Sequence, residues 1–337
     1  MLERILVPLD GSARAEHALP VAARLARASG GTLILLRVYQ VMPSEFVLSD
    51  YTAEEASAMA YLGRVAERPE LAGIEIETIT LAGAIALAIL DAVLAYRADM
   101  IVMCSHGRSG LTRWALGSVA EKVVRYASVP VYVLREHTGP SSLQSDTEHP
   151  LRALVALDGS TFAEVALTPA AQVIQALAAP QPGALRLVQV VQPTPDFNEE
   201  DPEPFALLTR TGKGQEQQTL QEAQDYLRTV AERVRTETLD GLTLQVTWSA
   251  VIAEDVATAL IQLAEQTAEP LRHFAEYGEN TEENIHAKTA LIVLASHGRG
   301  GLQRWVLGSI AGRVLEATSI PVLIVRPPQR QSLAGVQ

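Results

Sequence analysis

SHGRSGLTRWALGSVA, residues Ser105–Ala120, returns as SHGRGGLQRWVLGSIA at Ser296–Ala311 with 12 of 16 positions identical. Working outward from that pair, ILVPLDGS (Ile5–Ser12) returns as ALVALDGS (Ala153–Ser160). SVPVYVLR (Ser128–Arg135) returns as SIPVLIVR (Ser319–Arg326). Three matches in one order mean a duplicated unit, and the period is far too long for a solenoid. A length of 337 residues fits two domains of roughly 150 each. Between the copies, EHTGPSSLQSDTEHP (136–150) is polar, aperiodic and rich in Gly, Pro and Ser, which is linker composition. The expected division is a first domain at 1–137, a linker at 138–150, a second domain at 151–328 and a tail at 329–337.

The copies differ in length. Asp158 follows Asp10 by 148 positions, whereas His297 follows His106 by 191, so the second copy carries 43 extra residues between those points. The surplus falls near 193–214 and 267–288. Asp196, Glu199, Glu200, Asp201 and Glu203 load the first insertion; Glu269, Glu276, Glu279, Glu282 and Glu283 load the second. Solvated surface loops account for such acidic runs, and a partner-docking or lid role is the alternative.

Each copy alternates apolar β-rich runs with helix-length segments. Strands are expected at Ile5–Leu9, Thr32–Val38, Ile74–Thr80, Met100–Cys104 and Val131–Leu134. Helices are expected near Ala13–Ala28, Thr52–Arg68, Ala84–Tyr96 and Ser118–Ala127, with Ser12 as N-cap of the first. The alternation implies an α/β fold, a doubly wound parallel sheet with right-handed crossovers and helices on both faces.

Composition narrows the function. Hydrophobic residues are 48 % and charged residues 20 %, enough for a large core and too apolar for a disordered chain. Net charge is −12, which opposes nonspecific nucleic-acid binding. The imbalance lies in the second half: residues 1–137 hold 13 basic and 15 acidic side chains, net −2, and the remainder is net −10. Cys104 is the single cysteine, which excludes an intramolecular disulfide and fits a reducing cytoplasm. No basic-then-apolar leader precedes the strand at Glu3–Asp10, and Leu81–Tyr96 is too short and carries Asp91, so no membrane segment is expected.

In such a sheet, ligands sit outside the carboxyl ends of the strands, at the switch point of strand order. Strand one ends in Asp10-Gly11-Ser12 and strand four in His106-Gly107-Arg108-Ser109-Gly110, leading to Gly117-Ser118. Glycine lets a ligand approach backbone amides, and a helix opening at Ser118-Val119 offers unpaired N–H groups and a positive dipole end to phosphate. Arg108 and Arg113 can add charge. The second copy repeats this as Asp158-Gly159-Ser160, His297, Gly298, Arg299, Gly301, Arg304, Gly308, Ser309 and Ile310. Structural roles compete at every position. Ser118 with Glu121 forms a capping-box pattern, though Gly312 removes it in the second copy while Gly308-Ser309 remains. Asp10 and Asp158 can cap a turn or accept hydrogen bonds from a ribose or base. Trp114 and Trp305 read as packing residues. Cys104 reads as a small buried hydrophobe. His106 and His297 lack a second ligand at metal spacing, so no metal site is expected.

These residues together resemble the universal stress protein family, as two fused domains. The resemblance rests on Asp10-Gly11-Ser12, Ser105-His106-Gly107, the nine-residue spacer to Gly117-Ser118 and Val129-Pro130-Val131, each repeated, and it covers Leu2–Arg135 and Leu151–Arg326. It implies a five-stranded parallel sheet of order 3-2-1-4-5 in each domain. It also implies adenine-nucleotide binding (ATP, ADP or AMP, with magnesium accompanying ATP) through a G-x2-G-x9-G-[S/T] pattern. On that pattern the second and third glycines fall on Gly107 and Gly117, and on Gly298 and Gly308, with Ser118 and Ser309 as the hydroxyls. The first glycine is replaced by Cys104 and Ala295, which narrows the space beside ribose and phosphates. Asp10 and Asp158 are then nucleoside contacts, and the backbone near Val38 and Val190 reads adenine. The resemblance further implies pairing through fifth strands, so Val131–Leu134 should meet Val322–Val325 within one chain, with a homodimer beyond that.

Three functions remain at this level. The first is a nucleotide-binding stress-response sensor acting on a regulatory protein. The second is a slow ATP hydrolase or phosphotransferase. The third is a nucleotide-free scaffold whose acidic insertions dock a partner.

Overall fold

A computed structural model describes residues 2–40, 47–105, 116–135, 150–193, 208–236, 244–265, 275–278, 289–296 and 307–326. The first half runs β1 (Arg4–Pro8), α1 (Ala13–Glu16), α2 (Ala18–Ser29), β2 (Thr32–Tyr39), α3 (Val47–Ala66), a 3-10 turn (Pro69–Leu71), β3 (Glu75–Ala82), α4 (Ile85–Ala95), β4 (Met100–Cys104), α5 (Ser118–Tyr126) and β5 (Val131–Leu134). The second half runs β6 (Arg152–Leu157), α6 (Thr161–Glu164), α7 (Leu167–Ala178), β7 (Gly183–Val191), α8 (Leu208–Thr236), β8 (Leu244–Ile252), α9 (Val256–Glu265), β9 (Ala275–Gly278), β10 (Thr289–Ala295), α10 (Ser309–Ala317) and β11 (Val322–Val325).

The helix expected at Ala13–Ala28 is two helices. Proline explains the break. Pro20 is the third residue of α2; it has no N–H for the carbonyl of Glu16, and its ring crowds that carbonyl. Pro169, third in α7, does the same after α6, so the break is repeated with the sequence.

The strands form one sheet of eleven, in the order β3-β2-β1-β4-β5-β11-β10-β6-β7-β8-β9. Each half carries the order 3-2-1-4-5 with parallel neighbours. The halves are not separate sheets, because β5 pairs antiparallel with β11 through Val133↔Val322, Tyr132↔Leu323 and Val131↔Ile324. This is the meeting expected of Val131–Leu134 and Val322–Val325. The second half also departs from five strands: within the insertion at 267–288, β9 adds antiparallel to β8, pairing Ile252↔Ala275 and Ser249↔Gly278. The end of the insertion at 193–214 belongs to α8, which reaches 29 residues against 20 in α3. Glu276 lies in β9; the other nine acids of the insertions lie outside the described residues.

Alternation along the strands gives the sheet two apolar faces. One face buries Leu19, Leu25, Leu62, Ile174 and Leu227 from α2, α3, α7 and α8 in a core shared by both halves. The other buries Ile89, Val93, Val123, Leu260 and Val314 from α4, α5, α9 and α10. Among the described residues, no helix is long and apolar enough to cross a membrane.

Candidate functional site

The switch point in each half lies between the first and fourth strands, and three features converge at its carboxyl edge. The first is the turn after strand one. Leu9 N–H donates to Leu36 O at 2.8 Å, and the chain then leaves the sheet. Asp10 Oδ1 accepts from Ser12 N–H at 2.9 Å and from the Ser12 hydroxyl at 2.5 Å. Gly11 bridges them at φ 82°, a left-handed conformation that favours glycine. Ser12 Oγ then accepts from Ala15 N–H at 3.2 Å and caps α1. The second half reproduces each contact: Asp158 Oδ1 with Ser160 N–H (2.9 Å) and hydroxyl (2.6 Å), Gly159 at φ 81°, and Ser160 Oγ with Ala163 N–H at 3.2 Å. Of the two roles open to Asp10 and Asp158, this geometry displays the turn-capping one.

The second feature is the helix after strand four. Ser105, 2 % exposed, ties strand end to helix start: its N–H donates to Leu134 O at 2.9 Å, and its carbonyl accepts from Gly117 N–H at 2.9 Å. Ser296 does the same with Val325 O (2.7 Å) and Gly308 N–H (2.9 Å). A Cβ on Gly308 would lie 3.2 Å from Ser296 O, a tight contact that the Ser296 backbone would have to yield to. The Gly117 and Gly308 amides are therefore occupied. The next three positions supply the amides that lack an intrahelical bond.

Gly117 is the N-cap of α5 and Ser118 its first helical residue, because Gly117 O accepts the first helical bond from Glu121 N–H at 2.8 Å. The Ser118–Glu121 capping box is thus absent: a box needs the serine one position earlier, at the N-cap. Among the described residues, the N–H groups of Ser118, Val119 and Ala120 and the Ser118 hydroxyl have no partner. Gly308, Ser309, Ile310 and Ala311 repeat the arrangement at α10. Three convergent donors at the positive end of a helix dipole attract an anion.

The third feature is the end of strand two. Leu36 turns its carbonyl toward β1, so Val38, two residues on, turns its N–H and C=O to the same side, past the paired end of β1 at Pro8↔Leu36. Val190 holds the matching place in β7, beyond Leu157↔Gln189.

Cys104 ends β4 on the α1 side of the sheet, its thiol 3.9 Å from Ala15 O. Burial, with Asp10 adding to it, pushes the thiol up to about 12. Ala295 occupies the equivalent place, partly exposed. His106, Gly107, Arg108, Gly110, Arg113 and Trp114, and His297, Gly298, Arg299, Gly301, Arg304 and Trp305, lie outside the described residues. Among the described residues no three His, Cys, Asp or Glu side chains converge as metal ligands.

A triad escaped the sequence reading. Tyr61 on α3 donates its hydroxyl to Glu16 Oε1 at 2.9 Å, and Arg68 pairs with the same carboxylate. Tyr226, Glu164 and Arg233 repeat this, with Tyr226 donating to Glu164 Oε1 at 3.1 Å. Burial and the neighbouring carboxylate hold both phenols well above their ordinary range. The triads brace α3 and α8 against the helices that follow the aspartate turns. The signal was present in the spacing: each glutamate follows its capping serine by four residues, and each arginine follows its tyrosine by seven.

The sequence pattern of the universal stress protein family matches residues 1–135 and 151–326. The chain belongs to that family. A universal stress protein of Mycolicibacterium smegmatis is 25 % identical over 334 residues, 96 % of this chain and 97 % of the relative. The two chains therefore match over nearly their whole lengths. One from Thermus aquaticus is 34 % identical over 143 residues, covering 40 % of this chain and all of the relative, so it matches a single universal stress protein unit. The crystal structure of a universal stress protein from Archaeoglobus fulgidus superposes with a TM-score of 0.63 at 22 % identity, covering 96 % of this chain and 98 % of that one; this is likeness of fold.

Proposed function

We propose that each half binds an adenine nucleotide (ATP, ADP or AMP) at the carboxyl edge of its sheet, and that the chain acts as a stress-response sensor. The observation that carries this reading is the pair of unpartnered amide triplets, Ser118–Ala120 and Ser309–Ala311, each set beside the end of strand four by the serine-to-glycine bond. Phosphate oxygens match such donors, and the helix dipole favours their charge. The Ser118 and Ser309 hydroxyls add a donor each. In this reading the strand-two backbone at Val38 and Val190 reads the adenine edge, and Asp10 and Asp158 contact the ribose. Magnesium would enter with the phosphates of ATP. Because β5 and β11 consume each other, any homodimer uses a different surface, and a regulatory protein reads which ligand is bound.

Calorimetry with ATP, ADP and AMP on the whole chain tests this. Two equivalents of nucleotide are expected. Gly117→Val should remove one equivalent and Gly308→Val the other, because a branched side chain at the N-cap intrudes on the strand end and on the anion. Absence of heat with all three nucleotides overturns the reading.

A further inference from the structure

Arg135 and Arg326 close the two copies of the repeat, one residue past β5 and β11. Arg135 is 6 % exposed, and its Nη2 has no partner among the described residues. Arg326 is half-buried and its Nε is likewise unpartnered. A buried guanidinium nitrogen without a hydrogen-bond partner is costly. Arg326 reaches the opposite half. It donates through Nη2 to the carbonyl of Arg125, in the last turn of α5. Burial lowers the Arg135 guanidinium from its ordinary range, and the charge of Glu316 in α10 opposes that shift.

The consequence is a continuous run of bonds between the two amide triplets. It starts at Ser118–Ala120 and passes along the single nine-residue helix α5 to the Arg125 carbonyl. There it crosses to Arg326, the neighbour of Val325. Val325 O accepts from Ser296 N–H at 2.7 Å, and Ser296 O accepts from Gly308 N–H at 2.9 Å. Gly308 is the N-cap of α10, where the second triplet begins. In the first half, Leu134 O accepts from Ser105 N–H at 2.9 Å, and Ser105 O accepts from Gly117 N–H at 2.9 Å.

We propose that Arg326 is a positioning residue that couples the two anion sites, so that filling one makes the other bind more tightly. This rests on the nucleotide reading above. An anion on α5 orders its first turn and, through the helix, its last; the Arg125 carbonyl then holds Arg326, and with it the strand end that carries Ser296 and Gly308. A second ligand meets a site already ordered, which is positive cooperativity without a new contact. Coupling is reciprocal, so the order of filling is immaterial.

The test uses ATP as probe and the full chain. ATP is titrated into the wild type, Gly308→Val, Arg326→Met and Arg326→Lys, with circular dichroism confirming that each is folded. In the wild type the second equivalent should bind at least about fivefold more tightly than the first, the lower end of ordinary coupling between sites. Gly308→Val should bind one equivalent with the weaker affinity. Arg326→Met should bind two equivalents, both at the weaker affinity, and Arg326→Lys, which keeps a donor, should restore part of the difference. Loss of packing alone would lower both affinities and leave their ratio unchanged. Two independent sites in the wild type, or an unchanged ratio in Arg326→Met, overturns the coupling and leaves nucleotide binding standing. No binding to the wild type overturns both. An Arg326→Met chain that does not fold leaves the decision to the wild-type ratio and the lysine variant.

Discussion

Gly11 and Gly159 hold φ near +80° between an aspartate and the serine it binds. An alanine there costs about 1–2 kcal/mol from the left-handed backbone alone. Gly11→Ala should therefore lower unfolding free energy by that amount in urea titration, and an unchanged midpoint would contradict the geometry. Cys104 makes a chemical prediction. With its thiol pushed up to about 12 and buried against Ala15 O, it should resist a disulfide reagent at pH 8 until the chain unfolds. Asp255 makes one about pH. Hydrogen bonds from Arg313 hold its carboxyl down at about 2, below the ordinary value of 3.8, against the opposing effect of burial. A depressed folded value stabilises the native state above about pH 4 and is lost as pH falls through 2. The stability gap between wild type and Asp255→Asn should shrink across that window; a constant gap would mean that the pair does nothing. Its solvent exposure keeps the effect small. At this scale the sequence was legible where a residue repeats with its partner, as in Asp10-Gly11-Ser12. It was not legible for Ser118, because a capping box shifted by one residue has the same letters, and only the Gly117 carbonyl shows which residue starts the helix.

Elements were legible where one period dominates. The five β-rich runs of the first copy became β1 to β5 with small shifts at their ends. The single helix expected at Ala13–Ala28 concealed its break because Pro20 near a helix start is tolerated; its effect appears only once the Glu16 carbonyl is considered. The strand β9 was hidden because four residues, AEYG, inside an acidic insertion carry no pattern, and its place is set by the open edge of β8. Pairing of β5 with β11 puts Tyr132 opposite Leu323, equivalent positions of the two copies. The Tyr132 side chain is fully buried and its hydroxyl has no partner among the described residues. Burying an unsatisfied hydroxyl costs on the order of 1 kcal/mol or more, so Tyr132→Phe should stabilise the chain by about that much in a denaturant titration. A loss of stability would show that the hydroxyl is satisfied.

For the molecule as a whole, the repeats foretold two copies of one fold, whereas the single eleven-stranded sheet follows from strand edges that pair. The core on the α2 and α7 face runs across both halves, and Arg24 of α2 donates to Ala179 O beyond α7 at 3.3 Å. The halves should accordingly unfold together: circular dichroism and tryptophan fluorescence should give coincident transitions, and two separated midpoints would contradict a shared core. Both amide triplets open helices whose N-caps are tied to strand ends of that sheet. Native mass spectrometry of the intact chain saturated with ATP tests the central claim most directly. Two adenine nucleotides per chain are predicted, falling to one in Gly117→Val; a chain that stays bare at saturating ATP would contradict it.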